Sequence, residues 1–168
     1  MTQNMIKRRM ESPWTILSNN SLDFPSSFKP GGCLNIIAKT IHNRITEHGT
    51  DNLGRWSYVR LATKQDSMIY IITVYKPCKN SNKKSGPMTV HRQQWTILQN
   101  NGHNNPSPPK QFDKGLLHFL RTIQQKQHRI ILLGDFNENK EQSKLFQSLY
   151  NMGLRDMIHD HHQSLPHF

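Results

Sequence analysis

Asp135 and Asn137 stand at the end of an apolar run, in RIILLGDFNENK at residues 129–140. A carboxylate and an amide at i and i+2 after a strand point into one cleft. Together they can position a water or a metal-bound oxygen: the carboxylate accepts a proton or helps hold a cation, and the amide orients through hydrogen bonds. The same pair also suits an Asx turn that caps the next helix. Gly134 lets the chain turn there at little steric cost. Tyr75 ends a second apolar run, IYIITVY, just before Pro77 turns the chain away. A tyrosine so placed either packs with its hydroxyl in water or offers that hydroxyl to a ligand. Gly54-Arg55 precedes a third run and reads as a plain turn with a solvated cation.

These groups need strands to present them. RIILL has no polar alternation, which predicts a central strand covered on both faces. RWSYVRLA alternates Trp56, Tyr58 and Arg60 with Ser57, Val59 and Leu61, and SMIYIITVY follows a Lys64-Gln65-Asp66 turn, which predicts an antiparallel hairpin. CLNIIA, after the Gly31-Gly32 pair, reads as a short buried strand. MTVHRQQWTILQN can be a helix with Val90 and Ile97 inward. KQFDKGLLHFLRTIQQKQ sets Phe112, Leu116, Phe119, Leu120 and Ile123 on one helical stripe. A shorter amphipathic helix carries Leu145, Phe146 and Leu149 and can stop at Gly153. KPCKNSNKKSGP and NGHNNPSPP are loops by composition. Residues 1–30 are rich in Ser, Asn and Pro and read as an irregular lead-in, with no strand before residue 31. The order of elements is a mixed α/β pattern without an internal repeat, and residues 31–168 form one domain.

At 168 residues the chain can bury roughly 70% of the surface its unfolded form exposes. Mean hydropathy is −0.75, so long polar loops are expected around that core. The 22 Lys and Arg outnumber 11 Asp and Glu, giving +11 before ten histidines contribute. Such a field attracts polyanions, and with no basic amphipathic helix it points to nucleic acid ahead of a membrane surface. No apolar stretch approaches the ~18 residues of a membrane span. Cys33 and Cys78 lack CxxC spacing, and nothing resembles a secretory signal, which fits a reduced intracellular setting.

In order and spacing, the glycine pair before a strand, GR before a strand, YxP after the next, an amphipathic helix and GDFN resemble the middle of the endonuclease/exonuclease/phosphatase superfamily. GRWSY, GP before one helix, NP before the next and GDFNE look most like the endonuclease domains of non-LTR retrotransposons and related mobile elements. The resemblance covers about residues 30–158. It implies a four-layer α/β sandwich and Mg²⁺-dependent hydrolysis of phosphodiester bonds in DNA, a nuclease in an intracellular or nuclear setting. By the same resemblance Asp135 orients or deprotonates the attacking water and is the nearest candidate for the metal, Asn137 binds a phosphate oxygen, and Tyr75 hydrogen-bonds the scissile phosphate.

The chain also departs from that pattern. The family opens with a strand carrying Asn and a later strand carrying a metal-binding Glu; Glu11 has no apolar lead-in and is not assigned that role. The family closes with a strand carrying Asp and then an Asp-His pair, whereas RDMIHDHHQSLPHF is similar to the segment before that section. The resemblance therefore implies a partial, truncated domain, and the second reading is a catalytically inactive basic remnant that binds nucleic acid. His159, Asp160, His161 and His162 are ligand types, but neighbours on an irregular backbone rarely converge on one ion, and an exposed polar tail is expected there.

Overall fold

The computed structural model describes residues 14–19, 32–64, 67–78 and 89–164, with backbone alone for 14–19 and 162–164. It divides into two units, residues 1–137 and 138–168. The first unit holds strands β1 (Trp14–Asn19), β2 (Cys33–Ala38), β3 (Ile45–Thr50), β4 (Trp56–Ala62), β5 (Met68–Tyr75) and β6 (Arg129–Asp135). Helices α1 (Val90–Asn100) and α2 (Pro108–Gln125) lie between β5 and β6. The second unit holds α3 (Lys144–Asn151) and α4 (Met157–Ser164).

β3, β4, β5 and β6 form a mixed four-stranded sheet in that order. The β4/β5 hairpin is antiparallel as its short polar connection predicts, whereas β6 joins β5 in parallel. A parallel partner needs a long crossover, and α1 and α2 supply it. Helix α2 lays its stripe on one sheet face: Phe112, Leu116 and Leu120 are fully buried, and Phe119 stacks with Trp56 and meets Tyr58 and Tyr70. Truncating such a side chain removes both its burial and its contacts.

The opposite face meets a two-stranded sheet, β1 paired antiparallel with β2. Asn35 on β2 donates through Nδ2 to Ser57 Oγ on β4 at 2.7 Å and accepts from Thr73 Oγ1 on β5 at 2.8 Å. That buried polar link satisfies its members and fixes the register of one sheet over the other. The class is therefore mixed α/β with helix, sheet and second sheet in layers. β1 lies within the stretch expected to be irregular, and it forms because WTILSN finds a complete antiparallel partner in β2. The rest of residues 1–30, with Glu11, lies outside the described residues, as do Gly31, Gln65, Asp66 and the Gly86-Pro87 pair.

In the second unit α3 is capped by the Ser143 hydroxyl, which accepts from Phe146 N–H. It ends where Gly153 takes φ +82°, with Leu154 N–H donating to Leu149 O and Gly153 N–H to Tyr150 O, a Schellman closure. Lys140 pairs with Asp156 at 2.7 Å.

One expectation fails at the strand that carries GDFN. Among the described residues β6 is the sheet's edge, with Ile131 45% and Leu133 52% exposed. Those residues share a face with Ile71 and Thr73 in the parallel register. β2 reaches β4 and β5 on that side, so among the described residues the apolar character of RIILL is covered by helix on one face and left open on the other. An uncovered edge with apolar side chains is a template for association. Light scattering of the isolated chain is expected to show self-association that Leu133→Lys suppresses without lowering the melting temperature; a monodisperse wild-type monomer contradicts this.

Candidate functional site

The parallel register of β5 and β6 sets Tyr75 directly beside Asp135. Both strands end there with their carboxyl ends together, the place where parallel α/β pairs present functional groups. Beyond the ends the chains stay tied: Lys76 N–H donates to Asp135 O at 2.9 Å, and Asn137 Nδ2 donates to Lys76 O at 2.8 Å. All three residues singled out by sequence, Tyr75, Asp135 and Asn137, thus come together.

Asp135 is exposed, and its Oδ1 accepts from Asn137 N–H at 3.0 Å. This is an Asx turn, the alternative use of the pair, although no helix follows immediately. It leaves the second carboxylate oxygen outside the turn. Asn137 takes φ +49°, a left-handed conformation that asparagine tolerates better than most residues. Its side chain is held at both ends, because Oδ1 also accepts from Cys78 Sγ at 3.1 Å. Tyr75 is half-buried, and its phenol is pushed above its ordinary pKa, first by burial and then by Cys78 and Asp135 nearby. A phenol so placed remains a hydrogen-bond donor through neutral and mildly alkaline pH.

Gly134 has a different reason from the expected one. It is not in a turn but in the ladder opposite Val74, at φ +142°. A Cβ there would lie 2.0 Å from Val74 O and 2.8 Å from Val74 N. The glycine thus permits a close backbone approach.

Arg55 also departs from expectation. It is buried rather than solvated, and its guanidinium grips Asp51 through Nε–Oδ2 at 2.7 Å and Nη2–Oδ1 at 2.9 Å. The same guanidinium lies 4.7 Å from the centre of the Trp56 ring. Its carbonyl accepts from Tyr75 N–H at 2.8 Å, so the GR turn supports the tyrosine from beneath. Helix α2 approaches closely here because Gly115 leaves room, a Cβ on it lying 3.0 Å from the Trp56 ring and 3.2 Å from Arg55 Nη2.

Two residues at this end were not singled out by sequence. Lys76 is 2% exposed and pairs through Nζ with Asp113 Oδ1 on α2 at 2.6 Å. Cys78 is exposed and bonded to Asn137. A lysine between a strand and a proline looks like any surface cation, and only the tertiary position of α2 reveals its burial.

The histidine-rich tail forms helix α4 rather than irregular chain, with His159, Asp160 and His161 exposed. Successive helical positions diverge by ~100°, so these three do not face one point. Among the described residues no three His, Cys, Asp or Glu groups converge as a metal site. As donors for Mg²⁺, Asp135 and Asn137 offer hard oxygens of the right type, and Mg²⁺ usually takes only one or two carboxylates with water and substrate phosphate completing its shell.

No family model matches the chain, and no curated protein matches it. Among solved structures, the crystal structure of beta toxin 275-280 from Staphylococcus aureus aligns at 15% identity and a TM-score of 0.41, covering 80% of this chain and 44% of that one. The chain thus spans less than half of that protein, and the likeness is too distant to bear on fold or function.

Two outcomes test the local geometry. Gly134→Ala is expected to cost roughly 2–4 kcal/mol in urea unfolding, because backbone cannot yield as a side-chain tip can; unchanged stability would remove the close-approach account. Burial pushes the Cys33 thiol up to about 12, and its folded value above the unfolded one means that stability falls as pH rises from about 9 toward 12. At pH 8 a thiol reagent should therefore modify Cys78 and spare Cys33 until the chain unfolds, read by mass spectrometry.

Proposed function

We propose that the chain is a phosphodiester hydrolase acting on DNA, of the endonuclease/exonuclease/phosphatase type and of mobile-element origin, built on a four-layer sandwich of which the described layers are part. The observation that carries this reading is the convergence of Tyr75, Asp135 and Asn137 at adjacent parallel strand ends. The net charge of +11 favours DNA over a neutral or cationic substrate.

In this reading Asp135 takes a proton from the attacking water. Its Oδ1 is engaged by Asn137 N–H, so Oδ2 does this work. A positioned base contributes about 10²- to 10⁴-fold. Tyr75 donates its phenolic hydrogen to a non-bridging phosphate oxygen, and its raised pKa keeps that hydrogen in place. Asn137 spends one amide hydrogen on Lys76 O and offers the other to the phosphate. Asp135 and Asn137 Oδ1 would hold Mg²⁺, which when bound supplies positive stabilisation of charge developing on the phosphate. The matching compartment is intracellular, the nucleus where there is one.

A second reading is a basic module that binds nucleic acid without cleaving it. The net charge of +11 supports it as well, because retention of a polyanion needs no bound metal. The two part in one assay. The hydrolase is expected to relax supercoiled plasmid only with Mg²⁺, with Asp135→Ala abolishing nicking and Tyr75→Phe slowing it about tenfold, the loss of one hydrogen bond. Salt-sensitive retention of plasmid with no nicking at any Mg²⁺ concentration selects the binding module.

A further inference from the structure

A buried lysine is costly, since desolvating an ammonium is repaid only by good pairing. Lys76 nevertheless sits 2% exposed between two residues of the candidate site, where an apolar side chain would fill the same volume. The main chain at this position ties two residues of the site, and only the side chain distinguishes lysine from an apolar residue here. The N–H of Lys76 holds the Asp135 carbonyl at 2.9 Å, and its carbonyl holds Asn137 Nδ2 at 2.8 Å. This one residue is thus the template against which the GDFN turn is set. Its side chain runs to α2, where Nζ meets Asp113 Oδ1 at 2.6 Å and lies 5.9 Å from the centre of the Phe112 ring. Pro77, fully buried, fixes the backbone on the other side.

From this we infer that the Lys76–Asp113 pair is a positioning device: it clamps the end of β5 to α2 so that Asp135 and Asn137 adopt one arrangement. The helix serves the site through Asp113, which meets Lys76 just past the end of β5. Asn137 needs such support, because its left-handed backbone persists only while its surroundings hold it. As to catalysis, the inference rests on the hydrolase reading; as to geometry it stands apart from it.

Cys78 provides the independent readout. Its thiol donates to Asn137 Oδ1, whereas Cys33 is buried and silent, so reactivity at Cys78 follows the site and reactivity at Cys33 follows global unfolding. In the full chain under native conditions, Asp113→Asn is expected to raise the labelling rate of Cys78 about three- to tenfold while Cys33 stays protected. Asp113→Glu, which keeps the charge, is expected to restore the slow rate. If the chain nicks plasmid, Asp113→Asn should also slow nicking about 100-fold at unchanged plasmid retention, the effect of a small misplacement. Wild-type labelling of Cys78 in Asp113→Asn, with Cys33 protected, overturns the inference. If that variant unfolds and exposes Cys33, the paired replacement Lys76→Met with Asp113→Leu restores packing without the ion pair. A faster Cys78 then supports the clamp, and a wild-type rate overturns it. A wild type that never nicks plasmid, together with the labelling shift, removes the hydrolase reading and leaves the clamp standing.

Discussion

The parallel ladder between β5 and β6 is the constraint on which the first unit depends. Antiparallel neighbours need only a turn, but a strand returning in the same direction must travel the length of the sheet outside it. The connection between them carries α1 and α2, and α2 covers the sheet. The same ladder decides what lies at the strand ends, because its register sets Tyr75 beside Asp135 and Val74 beside Gly134. Slipping β6 by one residue would turn Ile130 and Leu132 away from the helix side and separate the tyrosine from the carboxylate. Gly134 guards against this, since its close approach to Val74 suits one register.

Polar groups buried between the layers add specificity that apolar packing alone lacks. Asn35 links β2 to Ser57 and Thr73, Arg55 with Asp51 closes the turn before β4, and Lys76 with Asp113 joins the end of β5 to α2. Each ties two elements at a defined pair of atoms, whereas Leu or Val could slide. Ion pairs in such places add little net stability over apolar replacements, yet losing one partner is expensive. Two of the three, Arg55–Asp51 and Lys76–Asp113, lie against the backbone of Tyr75 or its successor. Burial of charge is thus concentrated where backbone position matters most for the strand ends.

Features governed by local periodicity were legible in the sequence. The β4/β5 hairpin, the α2 stripe and the stop at Gly153 follow from alternation, helical spacing and a left-handed glycine, all set by near neighbours in sequence. Features set by what lies across the fold were not. RIILL reads as doubly covered because its composition is apolar throughout, but cover depends on what lies across the sheet, and among the described residues Ile131 and Leu133 are left exposed while β2 is tied to β4 and β5. Arg55 reads as a solvated cation and Lys76 only as the start of a loop, because nothing nearby in sequence announces Asp113, or shows that Asp51 would fold back onto Arg55. At the strand ends the residue types were legible, and so was their proximity, since adjacent strand ends are close whatever the details. What could not be read was the reason for Gly134, or the Cys78 contact, which crosses 59 residues of chain.

The Asx turn at Asp135 bears on both uses of the GDFN motif, and they prove compatible. A carboxylate has two oxygens and about four lone-pair directions, and one hydrogen bond to Asn137 N–H occupies one of them. That bond fixes the carboxylate plane and spares the side chain a search among rotamers before it meets a water. The structural role thereby becomes part of the chemical one: a free exposed aspartate would lose rotamer freedom on engaging substrate, whereas this one has already lost it on folding. The same logic applies to Asn137, whose amide is held by Lys76 O and Cys78 Sγ before any phosphate arrives. Preorganisation at these two residues is built from Asn137 N–H, from the Lys76 carbonyl just past the end of β5 and from the Cys78 thiol, which is why the parallel ladder and the strand-end site stand or fall together.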